Sequence, residues 1–208
     1  MTIQNELIFE RKKLLESMDE SVKFKHLPRR SWPKDLIKNK ILLWQVPPRT
    51  GKFLTQLVKF FRPKNILELG TSGGYSGLCM LDGYSDSFLF TIEFSQYRFK
   101  IAQETFEKTN LSKRVKMFNS KIEPVLKLWD ETIRTEVDFV LIDADKPAYK
   151  SNFELIRPHL SKGAIVVVDN ILDSLEKTQP FVDFVFSCDD FVSEIIELDN
   201  GLLLAIKK

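Results

Sequence analysis

The stretch Asn65-Ile66-Leu67-Glu68-Leu69-Gly70-Thr71-Ser72-Gly73-Gly74-Tyr75-Ser76 constrains this chain more than any other. An apolar run of strand length carries an acid, passes into a glycine-rich turn, and continues into a helix-like pattern at Leu78, Met80 and Leu81. Strand, glycine turn and helix are how an open α/β sheet presents backbone N–H groups to a ligand. Gly70 is expected to let the chain reverse, and Gly73 and Gly74 to let a ligand approach the backbone closely. An ordinary strand-to-helix turn has the same composition, so the surrounding chain has to decide between the two.

That chain alternates. Strands are predicted at 65–69, 88–92, 115–118, 137–142 and 164–168, with helices at 74–82, 95–108, 120–129 and 147–159 between them. Alternation of this kind implies a parallel sheet covered on both faces. Two further strands, 191–197 and 202–207, flank Asp199-Asn200-Gly201, and Asn-Gly between apolar runs signals a hairpin. The expected fold is therefore α/β, a Rossmann-like doubly wound sheet of five parallel strands closed by a C-terminal antiparallel hairpin. Ahead of it, residues 1 to 43 read as helical, with a partial apolar stripe at Leu7, Ile8, Leu14 and Leu15. Pro47-Pro48 breaks that pattern, and a helix is predicted from Gly51 to Phe61. Residues 1–208 thus make one domain, a helical arm over 1–45 and a core over 46–208.

The composition, 43% apolar and 29% charged over 208 residues, suits a soluble globular domain. A net charge of +2 gives no global argument for nucleic acid. A local basic cluster at Lys23, Lys25, Arg29 and Arg30 reads either as a solvated face or as a hold on phosphates. No apolar run reaches membrane-spanning length, and the N-terminus does not read as a signal peptide, so a cytoplasmic setting is expected. Cys79 and Cys188 suggest neither a disulfide framework nor a zinc site, and His26 and His159 leave little material for histidine chemistry.

Acids stand at the strand ends. Glu93 closes the second strand, 23 residues beyond Gly70, where an acid accepts hydrogen bonds from ribose hydroxyls. A nicotinamide cofactor would satisfy the same spacing, but Ser72 stands where a dinucleotide fingerprint wants its second glycine. Val137 to Ile142 ends in Asp143-Ala144-Asp145-Lys146, and Ala164 to Val168 ends in Asp169-Asn170. If these strands are neighbours, Asp143, Asp169 and the Asn170 amide oxygen converge, a hard-oxygen set suited to Mg²⁺. Asp145 is the alternative to Asp143. Each acid singly would also serve as a helix cap. Lys146 sits at a helix start, where the dipole disfavours it, and beside a cation it suits a general base.

Taken together these segments resemble the class I, metal-dependent S-adenosylmethionine O-methyltransferases of the catechol and caffeoyl-CoA type. The resemblance rests on Leu67 to Ser76, Thr91-Ile92-Glu93, Asp143-Ala144-Asp145-Lys146-Pro147-Ala148-Tyr149, Gly163 through Asp169-Asn170, and the closing Asn200 to Ala205. It runs from about Gln45 to the C-terminus and implies the seven-stranded methyltransferase fold. It further implies that Asp143, Asp169 and Asn170 hold Mg²⁺ or a similar cation and that Lys146 is the base. Glu93 would bind the cofactor ribose. Val46, Glu68, Gly70, Thr71, Ser72 and Ser76 would surround its methionine end, and Asn119 or Ser120 would lie by the adenine. Asp143 would border the cofactor as well, and Glu194 falls where the family places a substrate-contacting acid. Asn152, Ile171 and Leu172 depart from the family's aromatics, and residues 171–190 are short. The acceptor is expected to be a small hydroxylated molecule, a vicinal diol such as a catechol. The alternatives are a hydroxylated uridine of tRNA or a cofactor-binding protein without turnover. A homodimer is also an expectation.

Overall fold

In the computed structural model residues 2–19, 43–173 and 175–208 are described. The basic cluster at Lys23, Lys25, Arg29 and Arg30 lies outside the described residues. Of the predicted helical arm, α1 spans Ile3–Met18, capped by the Thr2 hydroxyl. Helix α2 covers Pro48–Phe61 and so begins three residues before the prediction. Pro48 stands at the first helical position, where its missing N–H is no loss, so the proline pair starts the helix instead of only ending the arm.

Strand β1 (Asn65–Leu69) leads through the glycine turn into α3 (Tyr75–Gly83). There follow β2 (Phe88–Ile92), α4 (Gln96–Lys108), β3 (Val115–Phe118), α5 (Ile122–Lys127) and the single turn α6 (Trp129–Thr132). Then come β4 (Val137–Ile142), α7 (Tyr149–Ile156), β5 (Leu160–Val168), α8 (Leu175–Phe186), β6 (Phe191–Ile196) and β7 (Leu202–Lys207). The seven strands lie in the order β3-β2-β1-β4-β5-β7-β6. The first five pair in parallel, and β7 runs antiparallel to both β5 and β6. The expected fold stands, with β1 between β2 and β4.

Alternation along the strands feeds two cores. Leu67, Leu69, Val140, Ile142, Val166 and Val168 face one side, packed with residues of α5, α7 and α8 such as Leu126, Phe153 and Phe181. Ile66, Phe139, Leu141, Ile165 and Val167 face the other, with Leu15, Leu54, Val58, Leu78 and Phe106 from α1 to α4. Both faces of the parallel strands are thus out of water, as a doubly wound sheet requires.

Helix α8 is one that the spacing does not predict. Pro180 lies inside it, and Phe181, Val182 and Val185 favour strands by propensity. Burial decides the outcome. Those three residues are in the core, and Phe181 meets the rings of Tyr149 and Phe153 at 5.6 and 6.0 Å. Strand β5 also starts earlier than expected, at Leu160. Among the described residues no helix is long and apolar enough to cross a membrane.

Gly70 has a φ of +103°, and a Cβ there would lie 2.1 Å from the Asp143 carbonyl oxygen. Gly163 also has positive φ, +79°, but open space around it. Gly70→Ala should therefore destabilise the fold by about 2–5 kcal/mol, backbone strain and overpacking together. Gly163→Ala should cost only about 1–2 kcal/mol, the left-handed penalty alone. Urea midpoints of the two variants check the difference.

Candidate active site

The site is built at the carboxyl edge of the parallel strands. Register pairs Leu69 with Ile142 and Ile142 with Val168, so β1, β4 and β5 end level. The ladder continues one step beyond, with Asp143 N–H donating to the Leu69 carbonyl and Asp169 N–H to the Ile142 carbonyl, each at 3.0 Å. Both acids are therefore delivered to one edge by neighbouring strands, as their positions in the chain predict.

On the β2 side, Gly70 N–H and Thr71 N–H both donate to the Ile92 carbonyl, at 3.1 and 3.3 Å. Glu93 follows and is almost fully buried, yet its carboxylate oxygens accept only backbone donors here: Ser72 N–H at 2.9 Å and Ser95 N–H at 2.8 Å. Each oxygen has a further lone pair for a ligand hydroxyl. Ser72 takes a left-handed φ of +50°, and its hydroxyl oxygen is buried with no hydrogen-bond partner. A strained residue with an unsatisfied hydroxyl beside a buried carboxylate is the mark of a ligand cradle. Asn119 Nδ2 and Ser120 N–H close the pocket by donating to the Glu93 carbonyl, at 2.8 and 3.2 Å. Val46 is buried in the core beside α3.

Glu68 lies beneath this turn, wholly buried. Ser76 and Thr91 donate to its two oxygens, and Thr91 also meets Thr71. Burial pushes its carboxyl up to about 7; the two hydroxyl bonds oppose the shift, and the nearby Glu93 charge adds to it.

The glycines after Gly70 also have a packing role. A Cβ on Gly73 would come within 3.3 Å of Leu15 and Leu43, and one on Gly74 within 3.3 Å of Phe106 and Thr105. They make room for the chain's own side chains, because α1 and α4 pack directly over the turn.

At the β4–β5 exits, Asn170 Nδ2 lies 3.2 Å from Asp143 Oδ1 and 3.0 Å from Asp169 Oδ2. Asn170 is left-handed, φ +62°, and its amide oxygen accepts from Asn200 Nδ2 at 3.2 Å. Two carboxylates drawn to one point suit a divalent cation, with the amide as third donor. An amide presents nitrogen or oxygen there by a half-turn, and the donor set then fits Mg²⁺. Among the described residues no three acids, histidines or cysteines gather as a metal site, and the set at these strand ends is two acids and an amide.

Lys146 opens a short 3-10 turn after β4, and its Nζ lies 3.1 Å from Asp173 Oδ2. Tyr149 donates from its hydroxyl to the Asp169 carbonyl at 2.9 Å. Burial raises the Tyr149 phenol above its ordinary range, and the charges of Asp143, Asp169, Asp145 and Asp173 raise it further. That phenol therefore stays protonated and serves as a donor. Glu194 stands two strands away from Asp169. It is exposed on the outer strand β6, opposite Leu204, which in turn pairs with Val167. His159 stacks on Trp129 at 4.1 Å, in a separate cleft of about 420 Å³. The sequence pattern does not mark Asp173, and it marks Thr91 and Asn200 only as parts of a strand end and a hairpin turn. Their contacts to Glu68 and Asn170 are not written there, and Asp173 belongs to a loop without periodicity.

A model of the protein family described as O-methyltransferase matches residues 16–186. A catechol O-methyltransferase from Niastella koreensis is 33% identical over 128 residues, 61% of this chain and 58% of that protein. A caffeoyl-CoA O-methyltransferase from Populus kitakamiensis is 30% identical over 129 residues, 61% of this chain and 55% of that protein. The chain thus matches little more than half the length of these curated relatives. Among solved structures, an O-methyltransferase from Bacillus cereus in complex with SAH superposes with a TM-score of 0.76 at 24% identity, covering 93% of this chain and all of that one. The O-methyltransferase TomG from Streptomyces achromogenes, in complex with SAM, gives 0.74 at 23% identity, with 79% and 82% covered.

The buried Glu68 has a measurable consequence. From about pH 4.5 to 7 the folded chain keeps a proton on Glu68 that the unfolded chain releases, so its contribution to stability falls as pH rises through that window. Glu68→Gln should remove a pH-dependent term on the order of 3 kcal/mol. Urea denaturation of both proteins at steps from pH 4.5 to 8 checks it, the stability difference changing in the variant's favour as pH rises.

Proposed function

The chain belongs to the O-methyltransferase family, and on that premise we propose that it moves the methyl group of S-adenosylmethionine to a hydroxyl of a small vicinal diol, such as a catechol, held on Mg²⁺. One observation carries the proposal. Asp143, Asp169 and Asn170 meet at the same sheet edge as the Glu93–Ser72 cradle, joined to it through Gly70. The catechol O-methyltransferase relative and the SAH and SAM held by solved proteins of this fold support it.

S-adenosylmethionine supplies a methyl group already activated on a sulfonium, so the protein's main task is alignment. Mg²⁺ supplies a Lewis acid that favours the ionised hydroxyl and fixes its direction. Glu93 accepts the ribose hydroxyls on the lone pairs that Ser72 and Ser95 leave open, and the Ser72 hydroxyl gains the partner it lacks. Gly70 and Thr71 offer backbone to the methionine end, above Glu68 and Ser76 and beside Val46. Asn119 and Ser120 border the adenine. Asp143, Asp169 and Asn170 would hold the cation, and Asp143 would border the cofactor as well. Lys146 Nζ takes the hydroxyl proton. Glu194, away on β6, has no part in this scheme.

Activity on catechol should be lost in chelator and restored by Mg²⁺, as followed by labelled methyl transfer; full activity in chelator would end the metal reading. Glu93→Ala should weaken S-adenosylmethionine by about 1.5–3 kcal/mol in calorimetry, the range for hydrogen bonds to a charged group. Lys146→Ala should slow transfer roughly a hundredfold or more while cofactor affinity stays, and recover rate as pH rises and hydroxide replaces the base.

A further inference from the structure

The contact between Lys146 and Asp173 has no part in the scheme above, and the way the fold holds Asp173 gives it one. We propose that Asp173 is a positioning residue that aims Lys146 across the β4–β5 exits and stabilises its amine as it takes up the proton. The inference rests on the reading of Lys146 as the base.

Three features carry it. The two residues stand on the two strand exits that supply the proposed cation ligands. Lys146 comes three residues after Asp143, and Asp173 four after Asp169. Their bond of 3.1 Å crosses the same gap as the Asn170–Asp143 bond of 3.2 Å, so base and cation ligands share one frame.

The chain that leads to Asp173 is also held from behind. Ile171 N–H donates to the Gly201 carbonyl at 3.0 Å and Leu172 N–H to the Asn200 carbonyl at 2.8 Å. Thr178 donates to the Ile171 carbonyl at 2.6 Å. Gly201 has φ +80°, and a Cβ there would lie 2.3 Å from Leu172. The chain is pinned up to the residue before Asp173.

Lysine, lastly, needs such help. Its four-carbon stem has many rotamers, and one fixed anion restricts where its ammonium rests. Lys146 is 21% exposed and Asp173 52%, so the lysine is the more enclosed partner.

In the transfer, the acceptor hydroxyl gives its proton to Lys146 Nζ. The oxygen electron pair forms the O–CH₃ bond as the C–S bond breaks, with that bond pair remaining on sulfur. Positive charge thus appears on Lys146, beside the Asp173 carboxylate. An orienting acid plays the same part for a histidine base, holding its direction and stabilising its cation.

The test is a double-mutant cycle with catechol as the acceptor probe and Mg²⁺ present. Asp173→Asn should lower kcat about fivefold or more, as loss of a charge-assisted bond implies, with the KM for S-adenosylmethionine unchanged. Asp173→Glu should recover part of the rate. In a Lys146→Ala background Asp173→Asn should change nothing further. A second readout needs no turnover: acylation of Lys146, followed by mass spectrometry at pH 7.4, should be faster in Asp173→Asn. An equal loss in both backgrounds, or labelling that does not change, overturns the proposal. Wild-type turnover in Lys146→Ala would instead end the base reading, and the labelling would still decide whether Asp173 holds the amine.

Discussion

The carbonyl oxygen of Asp143 occupies the place where a side chain on Gly70 would stand, 2.1 Å from its Cβ position. Much of the site depends on that approach. Strands β1 and β4 are neighbours that end level, so the turn leaving β1 must cross the exit of β4. Only a residue without Cβ, at φ +103°, lets it do so. The ligand turn and the acidic edge therefore form one body. Residues 71–72, which face Glu93, and residue 143, which faces Asn170, are fixed relative to each other by backbone contact. The proposed methyl transfer asks for that rigidity, because its rate rests on holding two reactants in line.

The C-terminal hairpin does a second job of the same kind. Its turn closes the sheet, and its residues also reach across two elements. Asn200 holds the Asn170 amide, the Asn200 and Gly201 carbonyls hold the loop after β5, and Asp199 accepts from Thr50 N–H and its hydroxyl at 3.0 and 2.8 Å. Thr50 lies in the first turn of α2, where an anion is favoured by the helix dipole. One turn thereby ties the start of α2 to the loop that carries Asn170 and Asp173.

The parts of this architecture that were legible in the sequence are those that depend on local pattern. Strands β1, β2, β3, β4 and β7 fall on their predicted bounds, because β1, β2 and β4 are buried parallel strands with continuous apolar runs and the Asn-Gly turn fixes the start of β7. Helix α8 was not legible. Its Pro180 and β-branched residues argue against a helix locally, and only burial against Tyr149 and Phe153 overrides them. Gly73 and Gly74 were legible as glycines but not in their packing role, since what crowds them comes from Leu15, Leu43 and Phe106, distant along the chain.

The sequence by itself determined the order of strands and helices, the acids at three strand ends, and the Asn-Gly hairpin, because each is written within a few residues and follows from steric or hydrophobic period. Only the tertiary structure decided which of these meet. Asp143 and Asp169 converge because β4 and β5 pair in register, Glu68 is raised because the core closes over it against the pull of two hydroxyl bonds, and Glu194 stays outside because β6 is the edge strand. Asp173 faces Lys146 because a hairpin some thirty residues later, at Asn200-Gly201, holds its loop in place. Contacts between residues far apart in the chain leave no local period, so they come into view only when the sheet is assembled.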